Sequence, residues 1–260
     1  MEQVFAQLLP MLTALWWPFC RILAMLIGAP VLGEAVTPVT VRILLALVLA
    51  VVMLPVTGAG APIDPFSLHG AVATMEQGLI GFVLGLAFHF SMAVIGVLGY
   101  LVSSQMGMSM AVMNDPLNGQ SSDVTSGLLS ALAIIVFFAI DGHLVMTNVI
   151  AQSFKAWPLG AGFGPLLMQT VAYNVAWIFS AAMLLAIPVV FSTLVVQIGF
   201  GFLNRVAPAL NLFALGFSVI TIFGLMMLAE LVRFIPEHYA RMTNMVLDMI
   251  RQQMQVALHG

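Results

Sequence analysis

Six apolar runs, roughly Phe5–Ile27, Val39–Thr57, Ala71–Leu101, Gly127–Ile150, Leu166–Gly199 and Leu210–Phe234, constrain this chain more than anything else in it. A helix rises 1.5 Å per residue, so about 20 residues cross the roughly 30 Å hydrocarbon core of a bilayer. Inside hydrocarbon a backbone amide finds no water, and a spanning run has to close its own hydrogen bonds as a helix. The expected fold is therefore all-α, a membrane-associated helical protein of about six apolar segments. Between the runs, glycine and proline mark turns at Gly28-Ala29-Pro30, Gly58 to Pro65, Asn114 to Gly119, Trp157 to Pro165 and Asn204 to Pro208.

Composition removes the soluble alternatives. Hydrophobic residues make up 62% and charged residues 7%, against about 45–50% and about 25% in soluble domains. The net charge of -3 supplies no basic field, so nucleic acid is not an expected partner. The one cysteine, Cys20, has no partner within the chain for a disulfide. Met1-Glu2-Gln3 lacks the cationic start of a signal peptide, so the first run is expected to stay in the mature protein. No long polar linker divides the chain, and a single domain over residues 1–260 is expected.

The runs are not uniformly greasy. Arg21, Glu76, His89, Asp141, His143 and Glu230 lie inside them or at their edges. A charge facing lipid at the bilayer centre costs at least about 2.5–3.5 kcal/mol, so several of these must face protein, water or the interface. Pro10, Pro18 and Pro188 interrupt helices and free backbone carbonyls. Helices packed mainly on other protein would satisfy both. The clustering of Arg233, Arg241 and Arg251 places the C-terminal end in the cytoplasm by the positive-inside rule. From Tyr239 onward, Met242, Met245, Val246, Met249 and Ile250 recur at roughly helical spacing between Arg241, Asp248 and Arg251. That pattern predicts an amphipathic helix on a membrane surface or against a partner.

The search for chemistry finds no zinc-protease helix motif, no nucleophile elbow and no phosphate-binding loop. No catalytic residue, cofactor site or metal site is expected. Asp141-Gly142-His143 reads either as half of a proton-relay site or as solvated groups at a helix end. Gly81-x-x-x-Gly85 is a signal for close helix packing. Arg205, Glu230 and Arg233 are candidates for ion pairs between elements or subunits. Methionine carries more information: the chain has 19, four of them in Met106, Met108, Met110 and Met113. A long, unbranched, polarizable side chain repacks around many shapes, so the cluster reads either as a deformable seal or as gap filling at a helix end. Gln105-Met-Gly107 and Gln197-Ile-Gly199, each followed by a proline at Pro116 and Pro208, form a weak internal echo.

The stretch Gln105-Met106-Gly107-Met108-Ser-Met110-Ala, followed by Asp115-Pro116 and Gly119, resembles the signature of the FliR family of the flagellar type III export apparatus. A second block is similar to that family's Pro-Gln-Leu-Asn-x-Phe-x-x-Gly-Phe-Pro motif: Arg205, Pro208, Asn211, Phe213 and Gly216 followed by Phe217. Ala209 stands where the motif has Gln, and Ser218 where it has Pro. The resemblance covers essentially the whole chain. It implies a FliP-like part over residues 1–165 and a FliQ-like helical hairpin with its tail over 166–260. It further implies a pore subunit of the export gate in direct contact with FliP and FliQ. FlhB, FlhA and unfolded exported flagellar proteins would be its other partners, besides membrane lipid. Such a gate would sit in the bacterial inner membrane at the flagellar basal body, partly raised toward the periplasm. Residues 106–122 would form a plug, with Asp115, Pro116 and Gly119 shaping the loop. A virulence-secretion homologue has the same architecture. Reading the residues alone also leaves a proton-coupled transporter using Glu76, Asp141 or His143.

Overall fold

The computed structural model describes residues 2–33, 37–57, 63–108, 113–114, 121–122, 124–160, 165–206 and 212–259. Seven helices run through them: α1 Glu2–Gly28, α2 Val39–Thr57, α3 Leu68–Gln105, α4 Val124–Ala139, α5 Gly142–Ala156, α6 Pro165–Val206 and α7 Leu212–His259. A minimal antiparallel ladder, β1 Met113–Asn114 with β2 Ser121–Ser122, lies between α3 and α4. Among the described residues five helices are long and apolar enough to cross a membrane, or six if α4 and α5 count as one span. The all-α reading stands.

Three expectations need correction. The fourth apolar run is two helices bent by 65° at Ile140–Asp141, not one. Asp141 takes a left-handed backbone (φ 56°), which no helix interior tolerates, and its carbonyl instead accepts from Leu144 and Val145 to start α5. The sixth run and the tail form one continuous helix, with Pro236 inside it. The tail's apolar face is also not left wholly for a bilayer or a partner. Val246, Ile250 and Met254 are buried, and Ile250 lines a small gap with Val83, Leu84 and Ala87 of α3. The chain covers part of that face itself, while Met245 stays exposed.

Contacts group the chain into two units. The first comprises residues 1–90, 141–173 and 243–260, and the second residues 91–140 and 174–242. In the first, α1 crosses α3 at backbone distance. Gly81 faces the Arg21 carbonyl, Gly85 faces that of Met25, and Gly28 faces that of Phe82. Side chains at these positions would hold the helices apart, so the Gly-x-x-x-Gly spacing does what its chemistry allows. On α2, Ala46, Ala50 and Met53 are buried at successive helical turns, while most of its larger apolar side chains are exposed.

The centre of this unit is polar. Arg21 has 0% exposure, and its guanidinium lies 4.3 Å from the Phe154 ring centroid. Its Nε donates to Gln77 Oε1 (2.8 Å), Nη1 to Ser153 Oγ (3.2 Å) and Nη2 to the Trp157 carbonyl (2.7 Å). One side chain thus ties α1 to α3, α5 and the turn after α5. The planar fork suits the task, because a buried guanidinium needs several fixed acceptors at once.

In the second unit α6 and α7 run antiparallel: Gly216 approaches Phe200, while residues 184–189 face residues 227–238. Gly99 of α3 packs on Ser126 of α4, whose hydroxyl donates to the Gly96 carbonyl at 3.2 Å.

Two substitutions check these contacts through the thermal midpoint of the purified protein in detergent. Gly81→Val drives carbons into the Arg21 carbonyl and is expected to cost about 1–3 kcal/mol. Gly78→Ala on the same helix meets open space and is expected to raise the midpoint slightly, through about 0.5–1 kcal/mol of helix propensity. Arg21→Lys places a point charge where a fork is needed, strands acceptors at Gln77 and Trp157, and should cost about 1–3 kcal/mol. A midpoint unmoved by Gly81→Val would remove the close crossing, and one unmoved by Arg21→Lys would remove the guanidinium staple.

Candidate functional site

The candidate site is the end of α3 and the start of the methionine-rich stretch, all within the second unit. Gly107 has φ +71°, the left-handed conformation that ends a helix most cheaply in glycine. Its N–H donates to the Ser104 carbonyl at 3.2 Å, closing the last turn. A Cβ at Gly107 would lie 2.9 Å from Cε2 of Phe217 on α7. The glycine of the first motif therefore exists for two reasons, its backbone angle and an aromatic ring from the second motif.

Met106, fully buried, places its side chain in the notch that Gly224 leaves on α7. Its carbonyl, orphaned by the helix end, lies 3.1 Å from the Thr221 hydroxyl, which shares its one proton with the Phe217 carbonyl at 3.0 Å. Phe217, Thr221 and Gly224 stand at i, i+4 and i+7, one face of α7. The Gln105 amide oxygen lies 3.5 Å from the hydroxyl of Thr193 on α6. That hydroxyl's shorter contact is 2.9 Å to the Val189 carbonyl, so the Gln105 contact is a weak one. The first motif is thus the lock that fixes the root of the methionine stretch onto α6 and α7.

The other expected residues distribute as follows. Met108 is half-buried in a turn of 3-10 helix, and Met113 lies in β1, paired with Ser122. Met110, Asp115, Pro116, Gly119, Pro208 and Asn211 lie outside the described residues, as does the Phe213 side chain. Gly216 is buried against Phe200, and Arg205 is exposed at the end of α6. Glu230 and Arg233 pair with each other at 3.3 Å on the exposed face of α7. Asp141 and His143 are exposed at the α4–α5 bend, while Glu76 sits half-buried on α3. Among the described residues no group of three His, Cys, Asp or Glu could hold a metal ion. Thr193, Thr221, Gly224 and the Arg21 acceptors escaped the sequence reading. The helical spacing of Thr221 and Gly224 from Phe217 is the signal that could have found two of these residues.

A double-substitution cycle separates the two demands on Gly107. Gly107→Ala is expected to destabilise the protein by about 1–2 kcal/mol for the backbone angle alone, and by more with the ring in place. Adding Phe217→Ala should recover the steric part and leave the backbone part. Strict additivity of the two would refute the contact.

Comparison with known proteins then bears on the whole chain. Residues 12–246 match the family described as bacterial export proteins, family 1. The chain is 34% identical over 239 residues to the flagellar biosynthetic protein FliR of Pectobacterium carotovorum subsp. carotovorum, covering 90% of each. It is 29% identical over 253 residues to FliR of Escherichia coli K12, covering 95% of this chain and 96% of that one. It also resembles the surface presentation of antigens protein SpaR of Salmonella typhimurium, 28% identical over 168 residues and 62% of this chain. With both motifs meeting at Gly107 and Phe217, and the match running nearly end to end, the chain belongs to the FliR family of bacterial export proteins.

Proposed function

We propose that this protein is a non-enzymatic pore subunit of the flagellar type III protein export gate, assembling with FliP and FliQ around a path for unfolded flagellar proteins. The observation that carries this beyond family membership is the length and bareness of α6 and α7. With 42 and 48 residues, they are about 63 and 72 Å long, roughly twice a hydrocarbon core. Only 28% and 17% of their apolar windows are buried within the chain, against 67% for α3. On α6 no charge appears from Pro165 to Asn204, about 60 Å at 1.5 Å per residue, so lipid cannot cover all of that surface, water would penalise it, and neighbouring protein has to cover it. An assembly of similar long helices supplies that cover.

On this reading residues 1–165 are the FliP-like part, and 166–260, built on the antiparallel α6–α7 pair, are the FliQ-like hairpin. The gate would sit in the bacterial inner membrane at the flagellar basal body, partly raised toward the periplasm, with FlhB and FlhA as further partners. The methionine stretch would close it at rest. A path that passes many different chains should grip none of them, and contact through soft, unbranched side chains closes without a fixed geometry. Met106 would act as the root of the plug, Met108, Met110 and Met113 as its seal, and Asp115, Pro116 and Gly119 as its loop. The longer and more identical matches to flagellar FliR than to SpaR favour the flagellar assignment over the virulence-secretion one.

Native mass spectrometry of the chain co-expressed with FliP and FliQ from the same genome tests the assembly. One large complex of fixed, unequal stoichiometry is expected, and a monomer that ignores both partners would overturn the proposal. Replacing residues 109–120 with a short Gly/Ser linker, which leaves the Met106 anchor intact, is expected to raise ion leakage in cells carrying the complex. Unchanged conductance would remove the plug.

A further inference from the structure

The first two helices differ from α6 and α7 in length. Pro10–Gly28 of α1 and Val39–Thr57 of α2 are apolar spans of 19 residues each, about 28 Å at 1.5 Å per residue and close to one hydrocarbon core. The connection between them is compact. The Gly33 N–H donates to the Ala29 carbonyl at 2.9 Å, and the Thr37 hydroxyl donates to that of Val31 at 3.1 Å. Two spans that pack on each other across so short a turn run antiparallel, as a hairpin of one bilayer's height. Charge respects that height. Within the two spans the chain has only Arg21, which is fully buried, and Arg42, which stands in the first turn of α2. Glu2, Glu34 and Asp64 come before, between and after them.

The α2 helix sorts its side chains by size. Ala46, Ala50 and Met53 are buried, on the side that packs against α1 and α5. The opposite stripe, Val41, Leu44, Val48, Val52 and Val56, is between 37% and 61% exposed and recurs once per helical turn. None of these five is small enough to admit a second helix backbone. None is an aromatic, a methionine or an arginine of the kind that gathers at the centre of a protein interface. Polar handles on the hairpin need nothing from outside. Thr13 donates to the Pro10 carbonyl and Thr57 to the Leu54 carbonyl, both at 2.9 Å. The exposed Trp16 ring donates its N–H to Thr74 Oγ1 at 3.1 Å. Hydrocarbon demands that closure of a surface, and water does not.

We propose that the stripe from Val41 to Val56 on α2 is a lipid-facing surface, in contact with phospholipid acyl chains. Val48 would lie at mid-depth. The Arg42 side chain, one turn from the end of the span, is long enough to carry its guanidinium to headgroup level. The surface matches hydrocarbon in its height, its lack of charge and its aliphatic make-up. The inference rests on the chain entering a membrane and not on its place in an export gate.

The test reads depth with nitroxide labels on single cysteines: Val41→Cys, Leu44→Cys, Val48→Cys, Val52→Cys and Val56→Cys, each in the full chain carrying Cys20→Ser and reconstituted in phospholipid nanodiscs. Oxygen concentrates in hydrocarbon and a nickel chelate stays in water, so the ratio of their relaxation effects rises with depth. The ratio is expected to peak at position 48 and to fall at least about threefold toward both ends of the stripe. Adding FliP and FliQ should leave that profile unchanged. Low access of both reagents at position 48, in the chain alone or with the two proteins, would overturn the assignment by placing protein there. Access of the nickel chelate along the whole stripe, or a ratio that climbs toward one end, would overturn it as well. The profile is carried by several exposed sites, so one variant that fails to purify does not remove it. Should FliP and FliQ not bind, the profile of the chain alone still decides, and the two proposals fail separately.

Discussion

Hydrocarbon offers a polypeptide no hydrogen-bond partners, and the architecture of this protein follows from that constraint. Each long apolar run closes its backbone bonds within itself, which yields helices. Any polar group carried inside must then be answered by another group of the chain. Arg21 is the most demanding of these groups. Its guanidinium is fully buried, and the acceptors it donates to, Gln77, Ser153 and the Trp157 carbonyl, are all uncharged. The Phe154 ring faces it as well. Such a cluster is stable only if α1, α3 and α5 meet at fixed heights. The glycines at 28, 81 and 85 let α1 and α3 come close enough for that.

The second unit solves a different problem, the end of a long helix. The α3 terminus leaves carbonyls without donors and a backbone that has to turn. Gly107 supplies the turn, Thr221 the donor, and the Gly224 notch a seat for Met106. These contacts bring together Gly107 of the first motif and Phe217 of the second, 110 positions apart in the chain. They form the two halves of one joint. Met106 and Gly107 are thereby fixed onto α7 at the point where the methionine stretch begins.

The long helices connect packing to assembly. A helix that buries two-thirds of its apolar window in its own chain, as α3 does, is complete by itself. One that buries a sixth and extends far beyond a bilayer is not, and α7 has that character. Its charged residues are consistent with this, since each arginine between Arg233 and Arg251 is neutralised by an acid within a turn. Self-paired charges project little field, which suits a surface that borders water or polar headgroups.

The sequence by itself determined the helical class, the number of apolar segments and most of their limits; α2 spans the residues expected of it, because a run of apolar residues bounded by turn formers admits few alternatives in hydrocarbon. It also determined the family, because both motifs are linear. Tertiary structure alone decided the rest. The break at Asp141 was hidden in a run whose average apolarity is continuous, since one left-handed residue changes direction without changing composition. The tail looked unpartnered because amphipathic periodicity shows that a face is apolar and not what covers it; part of its cover is α3 of the same chain. Arg21 read as a costly charge until its acceptors, which lie more than fifty positions away, came into contact. In each case the deciding interaction joins residues distant in the chain, and spacing within one segment carries no record of it.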